Sequence, residues 1–334
     1  MKKTVFAFLL CLGLLAGCTP APAPSPSPAA ETPAGESPAP TGQNLPTLAQ
    51  DEVPAWVSCR IIDGAGEGEL LLAELDYELN PHEDSRHDGK SVYRLSLNGF
   101  RCEETVQNDG SVLAACLANN GVCLYLDGEP AQPADLQDGM NVELSFNGMV
   151  QETFPAQLGE VYELHAWSIG APQCPGGGYF DLCGLYLQVL SDLWDKDPGL
   201  NAGISIAGLD LSQAPGELLD SEKSALAHRF GELHGVETVQ GTFEELTDQS
   251  YITVIPNDPE CDCIPGPRWE DGCLFSIQAN HDHDDEIYFG LPVLFFDAQK
   301  WCSPLGAYFF GDCSAVWPES GTWSGYKIGH EAIS

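Results

Sequence analysis

Six Asx-Gly pairs crowd one stretch of this chain: Asn98-Gly99, Asp109-Gly110, Asn120-Gly121, Asp127-Gly128, Asp138-Gly139 and Asn147-Gly148. Each is a dipeptide favoured in tight hairpin turns, because both residues tolerate the positive φ that such turns require. They recur every seven to eleven residues, the spacing of short antiparallel strands. Val92–Leu97, Val122–Leu126 and Val142–Phe146 lie between or beside them with period-2 alternation, and Trp56–Ile62, Leu70–Leu75 and Val161–Trp167 extend the set. A sheet of five or six such strands loses its open edges most simply by closing on itself. Residues 53–170 are therefore expected to form a small antiparallel β-barrel.

From residue 171 the pattern changes. Leu182, Leu185, Tyr186, Val189, Leu190, Leu193 and Trp194 share one helical face, and Asp197-Pro198-Gly199 ends that helix. A strand is expected over Ile204–Leu211, and a second helix from about Ser221 to His234 with Gly235 at its C-cap. Thr242-x-x-Glu245 is a capping box. Later runs, Leu274–Gln278, Ile287–Phe296, Ala307–Phe310 and Tyr326–Ile328, read as strands. Helices followed by a meander predict an α+β domain over 171–334, with helices packed on an antiparallel sheet.

The first 52 residues do not belong to either part. Lys2 and Lys3 precede an apolar run from Val5 to Leu15, too short to span a bilayer and shaped like a signal-peptide core. Leu15-Ala16-Gly17-Cys18 follows. It resembles the lipobox of bacterial lipoproteins, which implies cleavage before Cys18, its diacylation (a palmitate-type modification) and a stable membrane anchor. Residues 19–52 hold eight prolines between Pro20 and Pro40, and no Lys or Arg occurs between Lys3 and Arg60. Such a tract cannot bury enough surface to fold and should act as an extended tether.

Two further resemblances bear on the folded parts. Asp138–Ala156, with Val142-Glu143-Leu144, the Asn147-Gly148 turn and Glu152-Thr153-Phe154-Pro155-Ala156, resembles the closing segment of small OB-like domains in secreted proteins and lipoproteins of Gram-positive bacteria. Gly184–Trp194, Trp269-Glu270-Asp271-Gly272 and Phe296–Trp301 are similar to an extracytoplasmic domain of clostridial lipoproteins, also found fused to BlaR-type sensor metallopeptidases. The first resemblance implies an OB-like fold and no particular activity. The second implies a sensory or ligand-binding surface module.

Charge narrows the partners. With 50 acidic and 13 basic residues the formal net charge is −37, which excludes nucleic acid, since no basic surface exists to displace phosphate counterions. His281-Asp282-His283-Asp284-Asp285-Glu286 is the sharpest local cluster. His281, Asp282, His283 and Asp285 are candidate ligands for adventitious Zn²⁺ or Ca²⁺; the other reading is a solvated hairpin tip. No cofactor is otherwise implied. Of thirteen cysteines, Cys11 would leave with the signal peptide and Cys18 would be lipidated; the eleven that remain, outside the cytoplasm, suggest either disulfides or buried thiols. Cys174 with Cys183 and Cys302 with Cys313 are the pairs of easiest loop length. Trp301, Trp317 and Trp323 read first as core aromatics, and a Trp-lined face for sugar or peptide is the functional alternative. The expectation is a non-catalytic, lipid-anchored protein on the extracytoplasmic face of the cell membrane. It would be an accessory of the envelope that binds a small molecule, glycan or protein. The alternatives are a metal-dependent enzyme centred on His281–Glu286 and, behind it, the solute-binding lipoprotein of a transporter.

Overall fold

The structure, a computed structural model, describes residues 54–75, 90–100, 123–169, 181–257, 264–283, 293–316 and 325–334, and the backbone of 103–106 and 112–115. All of them belong to one compact unit, Leu45–Ser334. The first part contains β1 (Ala55–Asp63), β2 (Glu69–Glu74), β3 (Val92–Ser96), β4 (Glu103–Val106), β5 (Val112–Ala115), β6 (Cys123–Leu126), β7 (Glu129–Pro130), β8 (Asn141–Phe146), β9 (Val150–Gln151), β10 (Ala156–Leu158) and β11 (Val161–Trp167). The second follows as α1 (Leu182–Asp195), β12 (Ile206–Gln213), α2 (Asp220–His234), β13 (Glu237–Gln240), α3 (Phe243–Asp248), β14 (Thr253–Ile255), β15 (Gly266–Arg268), β16 (Gly272–Ala279), β17 (Val293–Ser303), β18 (Gly306–Val316) and β19 (His330–Ile333).

The expected small closed barrel is not what the first part forms. Nine strands make one open sheet in the order β7-β6-β11-β8-β1-β2-β3-β10-β9. It is mixed, because β6 runs parallel to β11 and β10 parallel to β3. Closure was expected as the remedy for open edges, but the chain blunts its edges differently. Both outermost strands are only two residues long, and β7 ends in Pro130, so each presents almost no free ladder to another chain.

The second sheet departs from expectation as well. Its order is β13-β12-β16-β17-β18-β19, and β12 is parallel to both neighbours, β13 and β16. The antiparallel meander holds only from β16 onward. The reason is the β12–α2–β13 unit: a helix of 15 residues is a crossover connection, and a crossover returns the chain parallel. The chain is therefore mostly strand, with two large mixed sheets and three α-helices among its described residues.

Nor do the helices serve the second sheet alone. Ile62, Leu71, Ala73 and Val92 of the first sheet join Leu226, Phe230, Phe275, Phe296 and Phe310 in a single core, together with Tyr186, Val189 and Leu193 of α1. Helix α2 packs on β1, β2 and β3 as well as on β12 and β13. A second core lies on the other face of the first sheet, around Ile61, Leu70, Leu72, Leu144 and Leu164.

Three buried charges, Arg60, Glu222 and Lys300, are held around this layer. Arg60 of β1 meets Glu222 of α2 at 2.5 Å, with both side chains nearly inaccessible (3% and 2%); Arg60 Nε also donates to Asn141 Oδ1 at 3.1 Å. The second Glu222 oxygen accepts from the Leu219 N–H at 2.9 Å, satisfying a helix-end donor that would otherwise be orphaned. At the C-terminal end of α1, the fully buried Lys300 ammonium takes the carbonyls of Trp194 (3.3 Å), Lys196 and Asp197 (3.2 Å), with Asn201 Oδ1 at 2.7 Å. A cation on those carbonyls also suits the negative end of the helix dipole. Among the described residues no helix is long and apolar enough to cross a membrane.

Candidate functional site

One face of the second sheet is turned to the core by Phe275, Ile277, Ala298 and Phe310. Period-2 alternation puts Leu274, Ser276, Gln278, Gln299, Trp301 and Phe309 on the opposite face. At one end that face is covered by α3 and the β14–β15 hairpin, where Leu246, Ile252, Trp269 and Leu274 form a small core. The rest is open. Two cavities lie along it, of about 390 Å³ and about 230 Å³, and both are walled by Ser276, Gln278 and Gln299. They read as one shallow trough across the sheet, of the size range in which small ligands are bound.

The aromatic end is set by α3. Thr242 caps that helix, its hydroxyl accepting from Glu245 N at 3.2 Å while the Glu245 carboxylate takes Thr242 N at 2.8 Å. This fixes Phe243 at the first helical position, where its ring meets Trp301 edge-on at 5.0 Å. Asp210 and Gln213 complete this wall.

The other end is built on a β-bulge. Phe296 pairs with Cys313 and Ala298 with Phe310, leaving Asp297 opposite Gly311 and Asp312. Asp312 takes φ +53°, a conformation that Asp tolerates better than most residues. Its N–H is held by Asp297 Oδ1 at 2.9 Å. Gly311 lets the His330 ring approach closely: a Cβ would lie 2.1 Å from its Cε1, so the ring would have to move aside. Asn280 Nδ2 donates to both carboxylates, at 3.2 Å to Asp297 and 3.2 Å to Asp312.

Asp312 is the hub. His330 Nδ1 sits 3.1 Å from its Oδ2, and His283 Nε2 3.6 Å from its Oδ1. Loss of hydration raises the Asp312 carboxyl, but hydrogen bonds from His283, His330 and Asn280, together with the His330 charge, outweigh it. They hold the group below its ordinary value. The residues lining the trough include four aspartates, Asp210, Asp282, Asp297 and Asp312, and no Lys or Arg. Such a surface repels anions and accepts hydrogen bonds from hydroxyl or amino groups.

His281, Asp282 and His283 form a single 3-10 turn. Asp282 faces the trough, while His281 and His283 line a neighbouring cavity of about 370 Å³. The His283 ring also stacks on Phe295 at 4.6 Å. Asp285 lies outside the described residues. Among the described residues no three His, Cys, Asp or Glu side chains are gathered as a metal would need. Cys18, Cys174, Trp317 and Trp323 also lie outside the described residues. The expected Cys302–Cys313 bridge is not formed: both thiols are free, and Cys313 pairs with Phe296, six residues along β17 from Cys302. That offset is about 20 Å of strand, far beyond a disulfide's reach. Cys183 is a buried free thiol on α1.

Sequence reasoning did not single out Asp297, Asp312, Asn280, Gln278 or Gln299. One signal was present: Gly311, isolated inside an apolar strand run, marks a bulge or a close approach. Compared with known proteins, the chain matches no family model, no curated protein and no solved structure.

Proposed function

We propose that this chain is a lipid-anchored extracytoplasmic binding protein of the cell envelope, and that the trough across its second sheet takes a neutral or cationic glycan fragment. The observation that carries the reading is the lining. Side-chain amides in the middle (Gln278, Gln299), aromatic rings at one end (Phe243, Trp301) and carboxylates at the other form one surface. Amides both donate and accept, as vicinal hydroxyls do. An aromatic wall offers an apolar surface to the C–H face of a sugar ring. Carboxylates only accept, so they favour ligands rich in hydroxyl or amino donors. Lys2, Lys3, the apolar run to Leu15 and the Cys18 box support the anchor, and the proline tract supports a tether that carries the folded unit clear of the membrane.

Calorimetric titration of the mature protein with soluble neutral and amino-sugar oligosaccharides tests this. Binding should weaken about tenfold for each amide lost in Gln278→Ala and Gln299→Ala, the worth of about one hydrogen bond. Binding unchanged in the double variant, or no binding across the panel, refutes the proposal. Stoichiometric zinc that survives chelation in the wild type and is lost in His283→Ala would replace it with metal-dependent chemistry around residues 281–286.

A further inference from the structure

The register of β16 and β17 brings together two cysteines that sequence spacing did not pair. Leu274 lies opposite Trp301 and Phe275 opposite Lys300, and the ladder runs without a slip to Ala279 opposite Phe296. Carried one step past its last pair, Leu274/Trp301, the same register sets Cys273 opposite Cys302. Directly opposed residues point to the same side of a sheet. Both thiols accordingly meet the helix-side core, Cys273 inside it and Cys302 packed against it.

The class of this pair can be counted from the far end of the ladder. Asn280 donates its N–H to the Phe295 carbonyl at 3.0 Å, so 280 and 295 are a hydrogen-bonded pair. Antiparallel ladders alternate, and Gln278/Asp297, Ser276/Gln299 and Leu274/Trp301 therefore share that class. Cys273/Cys302 falls in the other class, the non-hydrogen-bonded pairs, whose Cα atoms approach to about 4.5 Å and whose side chains lie closest. A disulfide accepts Cα separations of about 4.4–6.8 Å, a range that includes the spacing of such a pair.

Access is asymmetric. Cys273 is fully buried, whereas Cys302 is half-buried. Cys302 lies where the β17–β18 register slips between Trp301 and Ser303, and its thiol donates to the Gly306 carbonyl at 3.4 Å. The Lys300 ammonium favours both thiolates, against burial that pushes Cys273 up to about 12 and also raises Cys302.

We propose that Cys273 and Cys302 are a reversible cross-strand thiol–disulfide pair, closed by a small disulfide of the cystine type. The Cys302 thiolate attacks one sulfur of that disulfide, whose S–S bond breaks and releases one small thiol. The Cys273 thiolate then attacks Cys302 Sγ, breaking the mixed disulfide and releasing the second small thiol. The two protein protons end on the two released thiols. The protein is oxidised by two electrons, and the small disulfide is reduced by two.

The test uses the full mature chain in two arms, one incubated folded at mildly alkaline pH and one refolded from denaturant in a cystine/cysteine buffer. Refolding removes any barrier that burial places on access. After alkylation, chymotryptic mapping, which can cut between Cys302 and Cys313 at Tyr308–Phe310, identifies the partners. The expected result in the refolded arm is a peptide pair joining Cys273 to Cys302 and lighter by two hydrogens. It should be opened by mild dithiothreitol and be absent from Cys273→Ala. Both cysteines alkylated after refolding, Cys302 left as a mixed disulfide, or either cysteine joined to another partner overturns the proposal.

Discussion

The Arg60–Glu222 pair makes a quantitative claim about how the two sheets are joined. Glu222→Gln keeps the shape of the side chain and an oxygen for the Leu219 N–H, but removes the charge facing a guanidinium that is 3% exposed. Removing one partner of a buried pair leaves the other charge uncompensated and costs about 3–5 kcal/mol. The lower end applies here, because Asn141 Oδ1 still accepts from Arg60 Nε and the Asp181 carboxylate feels the Arg60 charge. Arg60→Met should cost a similar amount by stranding Glu222. The double variant should recover to within about 2 kcal/mol of the parent, because neither charge is then left uncompensated and only the new amide N–H lacks a partner. A double-mutant cycle by urea denaturation then gives a coupling of about 4 kcal/mol. In a unit of this size each kcal/mol moves Tm by about 2 °C, so each single variant should melt about 6 °C lower. Because the two residues lie 162 positions apart on different layers, each single variant should shift one common transition. Single costs below about 1 kcal/mol, or a double variant as unstable as the sum of the two, would refute a dry, coupled junction.

Two further outcomes follow from single sites. Gly272→Ala places a Cβ 2.1 Å from the Trp269 indole and should cost about 1–3 kcal/mol by overpacking. Trp269 fluorescence should report the displacement of the small core it shares with Leu246 and Ile252; an unshifted emission with wild-type stability would contradict the close approach. Asp138 is raised to about 6 by burial first, with the charges of Asp63, Asp181 and Glu67 adding to it and the Ala65 N–H pulling it back. An acid raised in the folded state contributes stability that is present below its unfolded value of 3.8 and lost as pH rises through about 6. Wild type should therefore lose urea stability between pH 4 and 6 relative to Asp138→Asn, and the variant should be the more stable at pH 7. Parallel pH curves for the two proteins would disprove the shift.

What could be read from the sequence is what local chemistry dictates. The helix over Asp220–His234 was visible because its apolar residues recur at helical spacing and Gly235 follows, and that glycine takes φ +68° as C-cap. The Thr242–Glu245 box closes as its spacing required. What could not be read depends on partners far away in sequence. Nothing local in Val161–Trp167 says that it runs parallel to Cys123–Leu126, and nothing in Leu71 or Val92 says that they meet Phe230. The edges were misjudged because two-residue strands such as Glu129–Pro130 carry too short a pattern to register. At the trough the histidines drew notice, whereas Asp297 and Asp312 look like ordinary surface carboxylates until the bulge sets one beside the other. The nearness of Cys273 to β17 was missed for the same reason: loop length favoured Cys313, whereas strand register is set by partners far away in sequence.

The helix layer shared by both sheets also sets a timetable. The ribosome delivers β1 to β11 well before α2, so the face carrying Ile62, Leu71, Ala73 and Val92 has no cover until more than 50 residues after β11 have followed. During that interval the chain holds a nearly complete sheet with a greasy side and an unmatched Arg60, a state prone to wrong associations. Contacts that close over such sequence distances form slowly. Any partner that shields nascent chains would therefore matter most for this protein between the emergence of Trp167 and that of His234, and a truncation ending between those points should yield an insoluble product.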